Sequence, residues 1–284
     1  MPLIVVTDST ADIPSEVARN LGIVVIPLTV QFGSEVFRDG IDISADEFFY
    51  KLKDSPTLPT TSQPSPGDFA EIYNNLATKV NEIISIHISA KLSGTYNSAV
   101  LGRQEVSKGC RIEVIDSLQA SMGLGLIVIA AAKLARQGAT FEEVSEMVHD
   151  AIPRTHFFGL VDTLEYLKKG GRIGKAEAFL GMLVHIKPLL VLRNGEIHGL
   201  EKLRSRKRAL RRLVELGKSF KHIEEMAIFY STNPDEAEFF SEHLAPIFPK
   251  DQVYRARFGP VIGTYVGPGA LGLALMESKL DAGD

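Results

Sequence analysis

Short runs of β-branched residues recur along the first half of the chain, each followed by apolar positions at helical spacing. Leu3–Thr7, Val24–Leu28, Ile83–Ile88 and Ile112–Ile115 have the length and composition of strands. Pro14–Leu21, Asp46–Lys53, Pro66–Lys79, Gly94–Val106 and Ala120–Arg136 carry the helical pattern. Adjacent parallel strands need a long crossover between them, and helices of this length supply it, so the alternation predicts an N-terminal α/β domain with a doubly wound parallel sheet. Start signals agree: Ser44 with Glu47 makes a capping box, and Ser65 precedes a proline at the first helical position. Phe32-Gly33-Ser34-Glu35 reads as a tight hairpin.

After a further capping box, Thr140 with Glu143, which opens a helix to about Ala151, the pattern changes. Phe157–Val161 is a strand, and Lys168 to Gly174 is a basic, glycine-rich turn. Pro188–Leu192 and Glu196–Leu200 flank Asn194-Gly195, the strongest short hairpin signal. An amphipathic helix from about Ser205 to Phe220, a strand at Met226–Tyr230, a helix from Pro234 and a strand near Val253–Arg257 follow. Hairpins mixed with helices predict a C-terminal α+β domain with a mixed sheet. For 284 residues, the expected division is 1–152 and 153–284. Gly267-Pro268-Gly269-Ala270-Leu271-Gly272 satisfies G-x-G-x-x-G, but too close to the end of the sequence for a βαβ unit to follow, so it reads as a turn opening a final helix.

Composition removes several function classes. Lys plus Arg is 31 against 35 for Asp plus Glu, which argues against a general nucleic-acid coat. One cysteine, Cys110, offers neither an internal disulfide nor a Cys-based zinc site. His87, His149, His156, His185, His198, His222 and His243 are scattered without ligand spacing, so no metal is expected. The start reaches Asp8 too soon for a signal peptide, and the apolar run Leu124–Ala132 is far short of the roughly 20 residues of a membrane span. The expectation is a soluble, cytoplasmic protein.

Ligands of open parallel sheets bind beyond the carboxyl ends of the strands. Four polar segments could gather there: Thr7-Asp8-Ser9-Thr10, Pro59 to Ser65, Ser89 to Thr95, and Asp116-Ser117. Each taken singly reads best as turn and cap residues; together they favour a site of neutral donors suited to a carboxylate or phosphate. Positive charge concentrates elsewhere, in Lys168, Lys169, Arg172 and Lys175 and in nine Lys or Arg between Glu201 and His222. A solvated face is the plain explanation of these clusters, and a docking surface for an acidic partner its competitor.

Taken in order, Val6-Thr7-Asp8-Ser9-Thr10, Thr60-Thr61-Ser62-Gln63-Pro64, Leu92-Ser93-Gly94-Thr95-Tyr96, Ile115-Asp116-Ser117, Gly170-Gly171-Arg172-Ile173 and Gly259-Pro260-Val261-Ile262-Gly263-Thr264 with Gly267-Pro268-Gly269 resemble the DegV family. Each motif is short, but six in this order, from residue 5 to residue 272, are specific. The resemblance implies a bacterial protein with two α/β domains and a long-chain fatty acid buried between them. It also implies a binding subunit of fatty acid kinase, with no catalytic site and no cofactor of its own. Carried over by position, Thr61 and Ser93 hold the carboxylate, with Ser62, Gly94 and Thr95 beside them, while Arg172, Arg204 and Lys207 meet the kinase subunit. Where the family usually has histidine, this chain has Tyr265, which can donate a hydrogen bond but cannot carry positive charge. Two other readings are a lipid carrier or sensor without a kinase partner, and an esterase working through Ser93, which would need a general base within reach.

Overall fold

The computed structural model describes residues 3–106, 109–180 and 186–279; His185 lies outside the described residues. Along the first half run β1 (Leu3–Asp8), α1 (Ser15–Leu21), β2 (Val24–Ile26), β3 (Thr29–Phe32), β4 (Glu35–Arg38), α2 (Ala45–Asp54), β5 (Thr60–Ser62) and α3 (Pro66–Ala77). They are followed by β6 (Glu82–His87), α4 (Thr95–Gln104), β7 (Arg111–Asp116), α5 (Met122–Arg136) and α6 (Phe141–Arg154). The predicted parallel sheet is present, four strands in the order β2-β1-β6-β7. The capping boxes at Ser44, Ser65 and Thr140 form as the sequence predicts.

The second half begins without a linker where α6 passes into β8 (Thr155–Leu160). It continues through α7 (Glu165–Lys169), β9 (Lys187–Arg193), β10 (Glu196–Leu203), α8 (Arg206–Lys218), β11 (Ile223–Tyr230), α9 (Pro234–Leu244), β12 (Tyr254–Arg257), α10 (Pro260–Val266) and β13 (Leu271–Glu277). Its sheet is mixed, in the order β10-β9-β8-β13-β11-β12, antiparallel except for the β11–β12 pair. The Asn194-Gly195 turn joins β9 to β10 with both residues at positive φ, 50° and 79°, as a type I′ hairpin requires.

Two expectations are corrected. The segment after Gly269 is not a helix but β13, paired on both sides in the middle of the mixed sheet. Pro59 to Ser65 is not all loop, because Thr60–Ser62 forms β5 and pairs with β3 in a small antiparallel sheet, β4-β3-β5. Arg204 falls just before α8, whose N-cap is Ser205.

Helix α5 holds the two large sheets together. Residues Met122 to Ala132 are buried on every side of the helix, which a helix apolar all round demands. It packs on β1 and β6 from one sheet and on β8, β11 and β13 from the other, so one continuous core runs from Val5 and Ile84 to Phe229 and Ala274. Outside this sandwich, α3 and α4 cover the parallel sheet and α8 and α9 cover the mixed one. The carboxyl ends of β1 and β6 are thereby aimed at the junction between the sheets.

Candidate functional site

At that junction lies a cavity of about 350 Å³, within the range of pockets that enclose small molecules. Its walls are apolar. Leu28, Ile88 and Ala120 close it from the first half, Phe157, Leu190 and Leu192 from β8 and β9, and Val261, Ile262 and Val266 from α10. Its polar groups come from short segments: Thr61, Ser62 and Gln63 at β5, Ser93 before α4, Thr10 and Ser121, and Tyr265 on α10. Among the described lining residues, Arg172 alone carries a charge.

The polar end is assembled from distant parts of the chain. Thr61 Oγ1 and the Tyr265 hydroxyl are 2.5 Å apart, although 204 residues separate them in sequence. Ser93 Oγ is 2.9 Å from Thr95 Oγ1 and accepts from the Thr95 N–H at 3.3 Å. Thr95 is fully buried and does not line this cavity, so it braces Ser93, and Gly94 serves as the N-cap of α4. No histidine, aspartate or glutamate among the described residues hydrogen-bonds Ser93 Oγ. The side chain of Arg172 bends over this end: Nε donates to Leu92 O at 3.2 Å, a terminal nitrogen to Gly170 O at 2.8 Å, and the guanidinium stands 5.2 Å from the Tyr265 ring centroid. Such stacking on an aromatic face is favourable by ~0.5–1 kcal/mol at an exposed site.

The predicted site residues therefore separate into two groups. Thr61, Ser62, Ser93 and Tyr265 meet at the cavity, and Arg172 joins them at its rim. Arg204 and Lys207 lie apart, both exposed and without an ion pair among the described residues, while their neighbours Arg206 and Arg212 are held by Glu236 and by Glu201 and Glu215. Of the four polar segments, three reach the cavity. Asp116-Ser117 does not: Asp116 Oδ1 accepts from the N–H groups of Ala90 and Leu118, and Ser117 Oγ donates to His87 O. Ser121 and Gln63 also line the cavity; Gln63 lies within one of the four polar segments, whereas Ser121 carried no distinct sequence signal and adopts φ 50°, ψ −142° after Ala120.

Behind Thr10 runs a buried polar chain. Asp8 accepts from the Thr10 N–H and hydroxyl, from His87 Nδ1 at 2.9 Å and from the Ile88 N–H at 3.2 Å. Ser85 Oγ is 2.7 Å from His87 Nε2 and accepts from the Tyr73 hydroxyl at 2.7 Å. With the imidazole proton on Nδ1 every member has a partner, which makes His87 a satisfied core residue. The described residues contain no cluster of side chains able to hold a metal ion, and no described helix is long and apolar enough to cross a membrane.

Comparison with known proteins agrees with this fold. A protein from Caldanaerobacter subterraneus described as DegV domain-containing is 36% identical over 280 residues, covering 96% of this chain and 98% of that one. The structure of a DegV family protein from Thermus thermophilus, described for its fatty acid binding, superposes with a TM-score of 0.91 at 35% identity, covering 98% of this chain and all of the other. That of DegV from Bacillus subtilis, described as a fatty acid binding protein, gives 0.89 at 34% identity with the same coverage. The family profile described as "Uncharacterised protein, DegV family" matches residues 2–278, and the chain belongs to the DegV family.

Proposed function

We propose that the chain binds a long-chain fatty acid in the cavity between its two sheets and presents the carboxylate to a separate ATP-dependent kinase subunit. The observation that carries the first part is the cavity itself, apolar along its walls and polar at one end, in a chain similar to proteins described as fatty acid binding. Burying about 14 methylenes at roughly 0.8 kcal/mol each contributes on the order of 11 kcal/mol before ordering costs. Tight binding then needs little from the head group, and the hydroxyls of Thr61, Ser93 and Tyr265 hold it as neutral donors. A carboxylate held this way keeps an oxygen free to attack the γ-phosphorus of ATP, giving an acyl phosphate with ADP leaving. The chain has no Walker lysine motif and no kinase signature, so the nucleotide belongs to the partner.

Mass spectrometry of the purified protein under native conditions tests the first part: a bound fatty acid is expected, and a protein that neither carries nor takes up one refutes it. Tyr265→Phe deletes one hydrogen bond to the charged head group, so binding is expected to weaken by about 1.5–3 kcal/mol, roughly ten- to a hundredfold. Tyr265→His, which restores a donor, is expected to bind like the parent.

Exposed Arg204 and Lys207, with the family resemblance, support the second part. Arg204→Glu, remote from the cavity, is expected to lower lipid phosphorylation by the partner at least tenfold while lipid retention stays unchanged. Coupling should also weaken with added salt, because exposed charges are screened over about 8–10 Å at physiological ionic strength. Loss of lipid from the Arg204→Glu protein, or intact phosphorylation, would count against docking there.

A further inference from the structure

Helix α10 belongs to the C-terminal part of the chain but packs on α2, β3, β5 and the Ser9–Ala11 turn of the first half. Its entry sits on two carboxyl groups. The Gly259 N–H donates to Asp12 Oδ1 at 2.9 Å, and the Asp39 carboxyl lies beside it. The seat is tight. A Cβ at Gly259 would stand 2.8 Å from Asp12 Oδ1 and 3.2 Å from Asp39 Oδ1, so a glycine is what lets the helix settle there. Asp12 Oδ2 also accepts from Ser121 Oγ at 2.5 Å, which ties the seat to the cavity wall. Asp39 is 4% exposed and has an Oδ2 with no hydrogen-bond partner among the described residues.

We propose that Asp39, together with Asp12, is a positioning residue that seats α10, so that Tyr265 meets Thr61 and the cavity stays closed over its contents. This inference rests on the reading of the cavity as a fatty-acid site. Because α10 supplies Val261, Ile262, Tyr265 and Val266 to the cavity, unseating it opens the lipid to water.

A buried carboxyl with one bare oxygen also makes the seat sensitive to protons. Burial pushes Asp39 up to about 7, with the Asp8 charge adding to the rise and the neighbouring Ser9 hydroxyl and Val261 N–H opposing it. Burial raises Asp12 in the same direction. The other charged groups around the pair are Asp8 at the end of β1, Arg19 on α1, and Arg255 and Arg257 on β12. Arg255 is committed to Glu238 and Arg257 to Asp46, so the arginines of β12 are engaged away from the two carboxyls. A carboxyl that titrates near 7 when seated and near 3.8 when exposed keeps its proton longer in the seated state. The seat is therefore strongest at low pH and weakens as pH rises from about 4 to about 7, Asp39 contributing at most about tenfold per pH unit.

The test compares the parent with Asp39→Asn and Gly259→Ala between pH 5 and 8.5. Two quantities are read: hydrogen-exchange protection of residues 259–266, corrected for intrinsic exchange, and the rate at which loaded hexadecanoate is released. In the parent, protection is expected to fall and release to quicken together up to about pH 7. Asp39→Asn keeps an acceptor oxygen but removes that group's titration, so both profiles are expected to become clearly shallower, with Asp12 supplying the slope that remains; the lipid's own carboxyl titrates in both proteins and cancels in the comparison. Gly259→Ala is expected to speed release at every pH. Parental profiles in Asp39→Asn, or parental release in Gly259→Ala, would overturn the proposal. A parent that never loads hexadecanoate while its α10 protection still follows Asp39 leaves the seat standing and removes the fatty-acid reading instead.

Discussion

The double replacement of Thr61 and Ser93 by alanine is expected to leave the chain folded and to weaken its hold on lipid by more than about a hundredfold. A hydrogen bond to a charged group is worth about 1.5–3 kcal/mol, so losing two weakens binding by at least about 3 kcal/mol, more than a hundredfold. Neither side chain is in a core cluster: both are partly exposed, Thr61 on the short edge strand β5 and Ser93 in the turn before α4. Mass spectrometry for bound lipid and a thermal melt for the fold separate the two effects. Undiminished lipid in a folded double variant would mean that the head group lies elsewhere along the cavity.

Asp8→Ala is expected to be strongly destabilising. Four donors converge on its carboxylate from Thr10, His87 and Ile88, and Asp8, Thr10 and His87 are fully buried. Alanine would leave those donors facing one another with no acceptor, a cost of about 3–5 kcal/mol. For a chain of this size that corresponds to a fall in Tm of roughly 6–20 °C. Asp8→Asn, which retains one acceptor oxygen, should fall between parent and Ala. A melt of Asp8→Ala within about 2 °C of the parent would show that the network can be re-satisfied by repacking. Because Thr10 lines the cavity, lipid retention should drop along with stability.

Local pattern carried much of the architecture. Val5, Ile84 and Ile115 sit in β-branched runs whose strand form needs no distant partner to be recognised, and the capping boxes at Ser44, Ser65 and Thr140 are complete within four residues. The Asn194-Gly195 hairpin is as local. Even the central position of α5 is written in its composition, since Leu124 to Ala132 offers no polar face to water. Strand β13 is the opposite case. Leu271 to Met276 is rich in leucine, alanine and methionine, all good helix formers. It is a strand because β8 and β11 present unpaired edges on both sides of it, and that pairing outweighs propensity.

The site divides along the same line. Clusters of hydroxyl residues at strand ends are visible in sequence, and so is the departure to Tyr265. Which clusters converge is not, because turn residues and ligand-holding residues share one chemistry: Asp116-Ser117 ties a turn while Ser93 faces the cavity. The bend of Arg172 onto Tyr265 depends on how the turn after α7 packs against α10. Asp39 is the extreme example. Between Arg38 and Gly40 it reads as an ordinary turn residue, and it becomes a buried carboxyl only because a helix from more than 200 residues away settles on it. Periodicity and caps report energies that act between near neighbours, and those determine the elements. Burial, a raised carboxyl and a closed cavity arise from contacts between elements distant in sequence, and those exist only once the sheets have met across α5.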